Sequence, residues 1–305
     1  MQIVRFLPHP GSTPRLGLID GDHVIDLAAT AAERGMGWLV PTMTDVRAFL
    51  LAGEAARTAA RLLARHPSNA WLPTAGVRVL APYESGAKIL AQVVNYPGHD
   101  EEAKVKIPAK PFFFQKPASS VANPGDPIVA HRDSRKLDHE SELVVVIGRI
   151  GRNIAAADAY EYVAGYTVGN DVSYRDFQMN EDFPDLNASY GKNWTQGKGL
   201  DMACPIGPAL VLSDELREPY PLRLTCRVNG ELRTDASTGD MIHKVPALIA
   251  EASRSMTLYP GDLIFTGTPM GSGLGTGRFL KPGDVVECEI ERIGVLRNTV
   301  VADAD

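Results

Sequence analysis

The alternation of apolar and polar positions divides the chain into a short first section that mixes strands with helices and a longer second section dominated by strands. In the first section, apolar runs predict three strands, while apolar residues spaced three or four apart and a high alanine content predict two amphipathic helices. The strands are predicted at residues 3–6, 15–19 and 23–27, with a hairpin turn at 20–22, and the helices at 44–51 and 54–64. Near Pro82 the pattern changes from mixed strands and helices to mainly strands. We therefore expect residues 1–82 to form a small α+β domain.

The second section, residues 83–305, is predicted to be one large β-rich domain that carries every functional residue. Runs of apolar and β-branched residues bounded by glycine, proline and asparagine indicate its strands. Strands are predicted at residues 88–94, 110–116, 143–148, 165–171, 204–212, 222–228, 262–269 and 285–290, a hairpin turn at Asn229-Gly230, and helices at 158–164, 175–178 and 241–256. The predicted fold class is therefore α+β, mainly β.

Composition narrows the class of protein. The 305 residues are 44% hydrophobic and 22% charged, enough to bury a full core, and the formal net charge of -6 gives no basic footprint for nucleic acid. No run of about eighteen apolar residues occurs, so we expect a soluble cytoplasmic protein with no membrane partner. Cys204, Cys226 and Cys288 are widely spaced in apolar surroundings, which favours buried thiols over a zinc site, a disulfide or a nucleophile.

The first candidate site lies at the start of an apolar strand. Alternate residues of a strand share a face, so Glu140 and Glu142 are expected to point the same way. Two neighbouring carboxylates repel each other, and a shared cation is the least costly way to keep both ionised. Oxygen ligands suit Mg²⁺, Mn²⁺ or Ca²⁺ better than Zn²⁺. The alternative is that Glu140 and Glu142 lie at an ordinary solvated strand end. Asp171, at the end of another predicted strand, would supply the third ligand of a metal site.

A polar segment, residues 95–107, follows the strand predicted at 88–94. We predict that it forms a short helix or a mobile loop over a pocket. Its His99 and Glu102 are three residues apart and would share one face of a helix, where the carboxylate would orient the imidazole and raise its basicity. The alternative is an ordinary solvated pair on the surface.

Basic and hydroxyl residues near glycines are candidate anion ligands. Lys198 stands between two glycines after a polar stretch predicted to be a functional loop, residues 174–197, and Thr268 precedes a glycine-rich loop. We expect both side chains to contact the anionic part of a substrate, although a surface lysine in a flexible turn is the alternative for Lys198. Lys116 is predicted to emerge at the end of the strand 110–116, whose aromatic residues are expected to be buried.

Taken together in their order and spacing, short motifs from Ile89 to the C-terminus resemble the fumarylacetoacetate hydrolase family. The matching motifs are Asn95-Tyr96 with His99 and Glu102; Phe114-Gln115-Lys116-Pro117; Asp138-x-Glu140-x-Glu142-Leu143; Gly165-Tyr166 through Asn170-Asp171-Val172 with Arg175-Asp176 and Gln178; Trp194-Thr195 with Gly197-Lys198; Pro205-Ile206-Gly207-Pro208; Val228-Asn229-Gly230-Glu231; and Tyr259-Pro260-Gly261-Asp262 through Thr266-Gly267-Thr268-Pro269. Each motif is weak by itself, whereas the combination is specific.

The resemblance implies a mixed β-roll around a central pocket, preceded by a small N-terminal domain and assembled as a homodimer. It implies that Glu140, Glu142 and Asp171 bind Mg²⁺, or else Mn²⁺ or Ca²⁺, together with a small 2-oxo acid substrate. His99 and Glu102 would form an acid/base pair on a lid, and Lys198 would neutralise charge beside the ion. The residues implied to be catalytic or to bind substrate are His99, Glu102, Lys116, Arg175, Gln178, Lys198 and Thr268.

The reaction that the resemblance implies is hydrolysis of a carbon–carbon bond in an acylpyruvate or a related 2,4-dioxo acid, with His99 activating a water. The alternatives are isomerisation, decarboxylation or hydration of acids like 2-hydroxyhepta-2,4-diene-1,7-dioate or oxaloacetate. A non-catalytic metal-dependent sugar or peptide binder would leave the His99–Glu102 pair unexplained. Two departures bear on the substrate: residues 179–193 are longer and more acidic than in the simplest members, and Gly199 replaces the serine or threonine that often follows the lysine.

Overall fold

A sheet of twelve strands runs through the molecule, and the computed structural model describes residues 1–303. The first part of the chain forms β1 (Gln2–Leu7), β2 (Arg15–Asp20), β3 (His23–Asp26), α1 (Leu27–Glu33), α2 (Val46–Leu63), β4 (Trp71–Pro73) and β5 (Arg78–Leu80). The middle part forms β6 (Ile89–Gln92), α3 (His99–Ala103), β7 (Phe113–Lys116), β8 (Val121–Ala122), β9 (Pro127–Ala130), β10 (Leu137–Asp138), β11 (Ser141–Ile147) and β12 (Val163–Asn170). The last part forms β13 (Ser173–Tyr174), α4 (Arg175–Gln178), α5 (Pro184–Tyr190), α6 (Trp194–Lys198), β14 (Cys204–Leu212), β15 (Arg223–Val228), β16 (Glu231–Ser237), α7 (Val245–Ala252), β17 (Leu263–Phe265), α8 (Gly273–Thr276), β18 (Val285–Ile290) and β19 (Gly294–Ala302).

Strand order explains how distant parts of the sequence meet. The main sheet runs β4-β3-β2-β1-β14-β12-β11-β17-β6-β7, with β5 beside β1 and β8 beside β14. A second sheet of five strands runs β16-β15-β18-β19-β9, and β10 pairs with β13 as a separate ribbon. Most pairs are antiparallel, whereas β6 with β17, β8 with β14 and β9 with β19 are parallel. The α+β, mainly β class predicted from the sequence is confirmed.

The central strand β11 shows why the sheet is covered on both faces. All seven of its residues are buried, and alternate side chains enter two different cores. Leu143 and Val145 pack into the core that lies between the two sheets, while Val144 and Val146 pack into the core formed with the N-terminal helices. A strand buried on both faces requires a continuous apolar run, and that run is what made this strand recognisable in the sequence.

The first section of the chain shares both a sheet and a core with the second section. Strand β1 pairs with β14 through Gln2 and Ile3, so the N-terminal strands extend the main sheet. Phe49 of α2 lies in the same apolar core as Phe265 of β17. The domain boundary at residue 82 stays a prediction, and the structure adds that the two sections are joined by strand pairing and by shared apolar packing.

Several predicted elements are confirmed. The three N-terminal strands form a meander with the turn at Gly21, and the helices predicted at 44–51 and 54–64 meet as α2 at Gly53, whose φ of 58° and ψ of -132° interrupt the helix. The hairpin at Asn229-Gly230 joins β15 to β16. The three cysteines are free and buried, as predicted. Among the described residues, no helix has the length and apolarity needed to cross a membrane.

Other predicted elements are wrong in extent. The long helix predicted at 241–256 is only α7, Val245–Ala252, because the backbone N–H groups of Ile242 and His243 donate to Asn95 instead of continuing a helix. Residues 156–162 form a 3₁₀ helix and β12 begins at Val163, so no α-helix occupies 158–164.

The remaining differences concern the segments beside the pocket. The stretch 174–197 contains the short helices α4, α5 and α6 rather than one loop with a single helix. The aromatic run before Lys116 is not wholly buried, since the Phe112 side chain is 55% exposed while Phe114 is buried. Lys116 itself is buried at the end of β7 and does not emerge.

Candidate active site

Strand pairing brings three acidic side chains together. Glu142 lies in β11 opposite Gly169 of β12, and the register continues beyond the strand ends, where the Asp171 N–H donates to the Glu140 carbonyl at 2.9 Å. The Glu140 N–H in turn donates to the side chain of Asn170 at 2.9 Å. One oxygen from each of Glu140, Glu142 and Asp171 lies within 4.8 Å of the others, and all three residues are buried. The three predicted metal ligands are therefore neighbours.

Buried cations surround two of the three carboxylates. The Lys198 ammonium donates to Glu140 and, at 2.7 Å, to Asp171 Oδ2, while Lys116 Nζ lies 2.6 Å from Asp171 Oδ1. Burial disfavours the Glu140 anion, but the charges of Arg175, Lys198 and His99 outweigh burial and hold its pKa below the usual range. Burial likewise disfavours the Lys198 cation, yet Asp171 and Glu140 raise the pKa of Lys198.

Glu142 forms no such ion pair, and the charge of Lys198 compensates its negative charge only in part. Burial and the negative charges of Asp171 and Glu140 raise the pKa of Glu142 well above its usual value. Glu142 Oε2 accepts a hydrogen bond from the backbone N–H of Gly267, at 2.6 Å. Gly267 has a φ of 92°, and a Cβ there would lie 2.7 Å from the Asn95 side chain, so glycine is needed for the backbone to reach Glu142.

The residues present fit a divalent cation. Three buried carboxylates supply hard oxygen donors within one small volume, and no described side chain forms an ion pair with Glu142. An ion bridging the cluster would remove the repulsion that raises the pKa of Glu142. Glu140, Glu142 and Asp171 are therefore the residues that would hold Mg²⁺ or Mn²⁺.

His99 and Glu102 meet on one face of α3, as the helical interpretation of their spacing requires. His99 Nδ1 donates to Glu102 Oε2 at 3.1 Å, and His99 Nε2 lies 3.9 Å from Glu140 Oε1. The Glu102 carboxylate also accepts the N–H of Gly271 at 2.8 Å, in the glycine-rich loop before α8. His99 is buried, which excludes the alternative of a solvated surface pair for this residue. Lid mobility stays a prediction.

Arg175 connects the carboxylate cluster to a fourth acid, Asp138, which was not predicted as a site residue. Its Nε donates to Asp138 Oδ2 at 2.8 Å and its Nη2 donates to Glu140. Burial opposes the Arg175 charge, but Glu140 and Asp138 raise its pKa above the usual value. Asp138 also accepts the N–H groups of Gly273 at 2.6 Å and Leu274 at 3.0 Å, so it ties α8 to the cluster. The period of two in Asp138, Glu140 and Glu142 was the available sequence signal.

A small pocket opens onto this cluster. The residues that line it are Gln92, Val93, Val94, His99, Ala103, Phe114, Glu140, Asp171, Arg175, Gln178, Met179, Lys192, Trp194, Lys198, Thr268 and Leu274. Of the predicted substrate-binding residues, Arg175, Gln178, Lys198 and Thr268 lie in the wall, and Lys116 lies behind Asp171 as its charge partner. Lys192 and Trp194 are wall residues to which the sequence analysis gave no role.

The lysine and threonine predicted beside glycines are both buried rather than in flexible turns. The Lys198 side chain is 3% exposed and lies 5.5 Å from the centre of the Phe114 ring. The Thr268 hydroxyl donates to the Ser141 carbonyl at 3.1 Å. Gln178 Oε1 accepts from Arg175 at 3.3 Å. These contacts orient polar groups around the pocket, and the substrate contacts of these residues stay predictions.

Comparison with known proteins gives consistent similarities over nearly the whole chain. The family described as fumarylacetoacetate (FAA) hydrolase C-terminal matches residues 88–301. The mitochondrial oxaloacetate tautomerase fahd2 of Xenopus laevis is 41% identical over 305 residues, covering 99% of this chain and 90% of the relative.

Two solved structures share the fold. Fumarylacetoacetate hydrolase from Exiguobacterium antarcticum is 32% identical, with a TM-score of 0.77, covering 99% of this chain and 100% of that chain. Maleylpyruvate hydrolase from Sphingobium sp. SYK-6, in complex with manganese(II) and pyruvate, is 30% identical, with a TM-score of 0.75, covering all of both chains. The motif resemblance is thus confirmed by independent similarities of sequence and of structure. The chain belongs to the fumarylacetoacetate hydrolase family.

Proposed function

We propose that this protein is a divalent-metal-dependent enzyme that interconverts the enol and keto forms of a short 2-oxo dicarboxylic acid, with oxaloacetate as the favoured substrate. The observation that carries the proposal is the His99–Glu102 pair beside the carboxylate cluster. One imidazole nitrogen is fixed by Glu102 at 3.1 Å and the other faces Glu140 at 3.9 Å. A single oriented ring next to a charge-stabilising site is sufficient for proton transfer.

The chemistry requires two proton movements. In the enol-to-keto direction, a proton leaves the hydroxyl oxygen on C2, a proton is added to C3, and the C2=C3 double bond becomes a C2=O double bond. His99 Nε2 would donate or accept the proton at C3, and Glu102 would keep the ring oriented and stabilise its protonated form. An ion held by Glu140, Glu142 and Asp171 would supply Lewis acidity to the oxygen on C2.

Two further features support this choice. The pocket wall contains the cationic side chains of Arg175, Lys192 and Lys198, which suits an anionic acid. The relative from Xenopus laevis is named as an oxaloacetate tautomerase and aligns with nearly the whole chain. Thr268 and Gln178, which lie in the pocket wall, would orient the substrate's 2-oxo acid end.

Hydrolysis of a carbon–carbon bond in an acylpyruvate is the second candidate. It is favoured by the similarity to maleylpyruvate hydrolase, whose structure contains manganese(II) and pyruvate. The same histidine could then activate a water instead of protonating carbon.

The experiment compares both reactions with one preparation of purified protein and added Mn²⁺. Oxaloacetate delivered as its enol is followed by loss of enol absorbance, and an acylpyruvate is followed by release of pyruvate. We expect kcat/KM for enol loss to exceed kcat/KM for acylpyruvate cleavage. The rate of a matched His99→Ala protein is subtracted from each. Faster cleavage of the acylpyruvate would instead assign the protein to the hydrolases.

A further inference from the structure

Lys192 is the one basic residue in the acidic segment 179–193, and it lies in the wall of the pocket. Backbone hydrogen bonds of the two residues that follow it fix its position. The following residue, Asn193, donates its N–H to the Gln178 carbonyl at 2.8 Å and caps α6 through its side chain. The Trp194 N–H donates to the Lys192 carbonyl at 3.1 Å. The backbone therefore holds this lysine beside α4, which carries Arg175 and Gln178.

The surroundings of the half-buried Lys192 ammonium differ from those of the three buried cations of the site. Lys116, Arg175 and Lys198 each form an ion pair with a carboxylate of the site. Within residues 1–303, the Lys192 side chain forms no ion pair or hydrogen bond, and its Nζ lies 5.7 Å from the centre of the Trp194 ring. Trp194 in turn stacks on Phe114, with ring centres 4.5 Å apart.

This arrangement is unfavourable for a cation without an anion. Burial and the like charges of Arg175 and Lys198 lower the pKa of Lys192. An anionic group entering the pocket would relieve that cost, and it would meet no competing carboxylate on this lysine. The other three cations are already committed to Asp171, Glu140 and Asp138.

We propose that Lys192 binds the distal carboxylate of a dicarboxylic 2-oxo acid and so selects diacids over monoacids. The proposal rests on the proposed function for its substrate class. The 2-oxo acid end would lie toward the carboxylate cluster, and the second carboxylate would extend toward Lys192 and the Trp194 ring. The segment 179–193 then contributes a specificity-determining residue.

The test uses two ligands that cannot enolise because both hydrogens on C3 are replaced by fluorine. One is 3,3-difluoro-oxaloacetate and the other is 3,3-difluoro-2-oxobutanoate, which lacks the distal carboxylate. Affinities are measured by calorimetry with saturating Mn²⁺ for wild type, Lys192→Met and Lys192→Arg. Lys136→Met serves as the control, because Lys136 pairs with Glu181 of the same segment at 2.7 Å but does not line the pocket.

Wild type and Lys136→Met should prefer the diacid. Loss of a charge-assisted hydrogen bond should weaken diacid binding to Lys192→Met by about tenfold or more. Monoacid binding should be unchanged, and Lys192→Arg should restore most of the preference. Equal weakening of both ligands, or no weakening, would overturn the proposal.

Binding of these unreactive ligands is independent of turnover, so the two hypotheses can fail separately. If wild type shows the Lys192-dependent preference for the diacid but does not convert enol oxaloacetate, the assignment of Lys192 stands and the tautomerase function is wrong. If wild type converts oxaloacetate and Lys192→Met keeps the wild-type preference for the diacid, the specificity proposal is wrong and the function stands.

Discussion

Glu142 is the acidic residue of the cluster whose charge is least compensated. Lys198 and Lys116 neutralise Asp171, and Arg175 and Lys198 neutralise Glu140, but Glu142 receives one backbone N–H. A buried carboxylate in this position is costly in the folded protein unless it is protonated or shares a cation. The weakly compensated negative charge of Glu142 therefore explains both its suitability as a metal ligand and its cost to the stability of the metal-free protein.

The first prediction is that Glu142→Gln stabilises the metal-free protein. Because burial and neighbouring acids raise the folded-state pKa of Glu142 above its ordinary value of 4.5, its contribution to stability is present below that value and is lost as the pH rises through the raised pKa. The melting temperature of the variant should thus exceed that of chelator-treated wild type increasingly as the pH rises, and the difference should vanish in acid. The measurement is thermal unfolding over a pH series.

Addition of a divalent ion should reverse the order of the two melting temperatures, so that wild type becomes more stable than Glu142→Gln. At a concentration one hundred times its Kd, an ion bound only to the folded state adds about 2.7 kcal/mol to wild type, and it should add little to Glu142→Gln. Glu289→Gln, on the exposed face of β18, is the matched control. A Glu142→Gln protein that gains as much melting temperature from Mn²⁺ as wild type would contradict the ligand assignment.

The second prediction concerns His99. An oriented acid/base group typically contributes about 10²–10⁴-fold to the rate, so His99→Ala should lower kcat by that order and leave metal affinity unchanged. Glu102→Gln should lower kcat by less, because the ring would remain in the pocket with a weaker orienting bond. Glu101→Gln, on the exposed side of α3, is the control. Unchanged kcat in pre-steady-state assays of His99→Ala would show that the segment 95–107 is only a cover.

At the scale of elements, α3 and α8 together determine where Glu102 points. Glu102 accepts the Gly271 N–H before α8, and a Cβ on Gly275 would lie 2.3 Å from Glu102 Oε1. Asp138 holds the start of α8 through two backbone N–H groups. The glycine-rich loop that follows Thr268, residues 271–277, therefore makes room for the Glu102 side chain, and its backbone binds Glu102 and Asp138.

The third prediction follows from that contact. Gly275→Ala should displace the Glu102 carboxylate and lower kcat, because the obstructed atom is the end of a flexible side chain that can move. The melting temperature and Mn²⁺ affinity should change little. Gly76→Ala is the control, since no atom lies within 4 Å of its added Cβ and no positive φ is required there. Wild-type kcat in Gly275→Ala would mean that the position of Glu102 has no influence on catalysis.

The elements that could be predicted from the sequence are those whose burial is indicated by the pattern of apolar residues within the element itself. Residues 143–147 of β11 and most of β14 are apolar, and Gly53 marks the break in α2. The prediction of a long helix at 241–256 was wrong because Asn95, which is distant in the sequence, accepts hydrogen bonds from the N–H groups of Ile242 and His243. Local propensity cannot anticipate such a distant partner.

The same limit applies to the pocket. The spacing of Glu140 with Glu142, and of His99 with Glu102, is local and could be recognised. The burial of Lys116 against Asp171 depends on pairing across 55 residues, and the position of Lys192 depends on how the segment 179–193 folds back onto Gln178. Contacts between residues this far apart in the chain do not produce a periodic pattern of apolar and polar residues in the sequence.

At the scale of the whole molecule, the main sheet joins the section before residue 82 to the section that carries the pocket. Strand β14 has β12 on one side and β1 on the other, and it places Cys204 and Leu210 in the core that α2 covers. An exposed strand edge and an uncovered apolar face would follow from removal of the first section.

The fourth prediction is that a truncated chain of residues 83–305 is much less stable than the full chain, although it keeps all three predicted metal ligands. We expect a lower melting temperature by circular dichroism and binding of an apolar dye at temperatures where the full chain binds none. Full-length stability and Mn²⁺ affinity in the truncated chain would contradict this and would support an independent domain beginning near residue 83.

The central claim is that Glu140, Glu142 and Asp171 hold a divalent ion needed for proton transfer by His99. The most direct measurement follows the loss of enol oxaloacetate by chelator-treated protein as Mn²⁺ or Mg²⁺ is added back. The account predicts no rate above the spontaneous one before addition, saturable recovery in wild type, and no recovery in Glu142→Gln at the same ion concentrations. A full rate in chelated wild type, or wild-type recovery in Glu142→Gln, would contradict it.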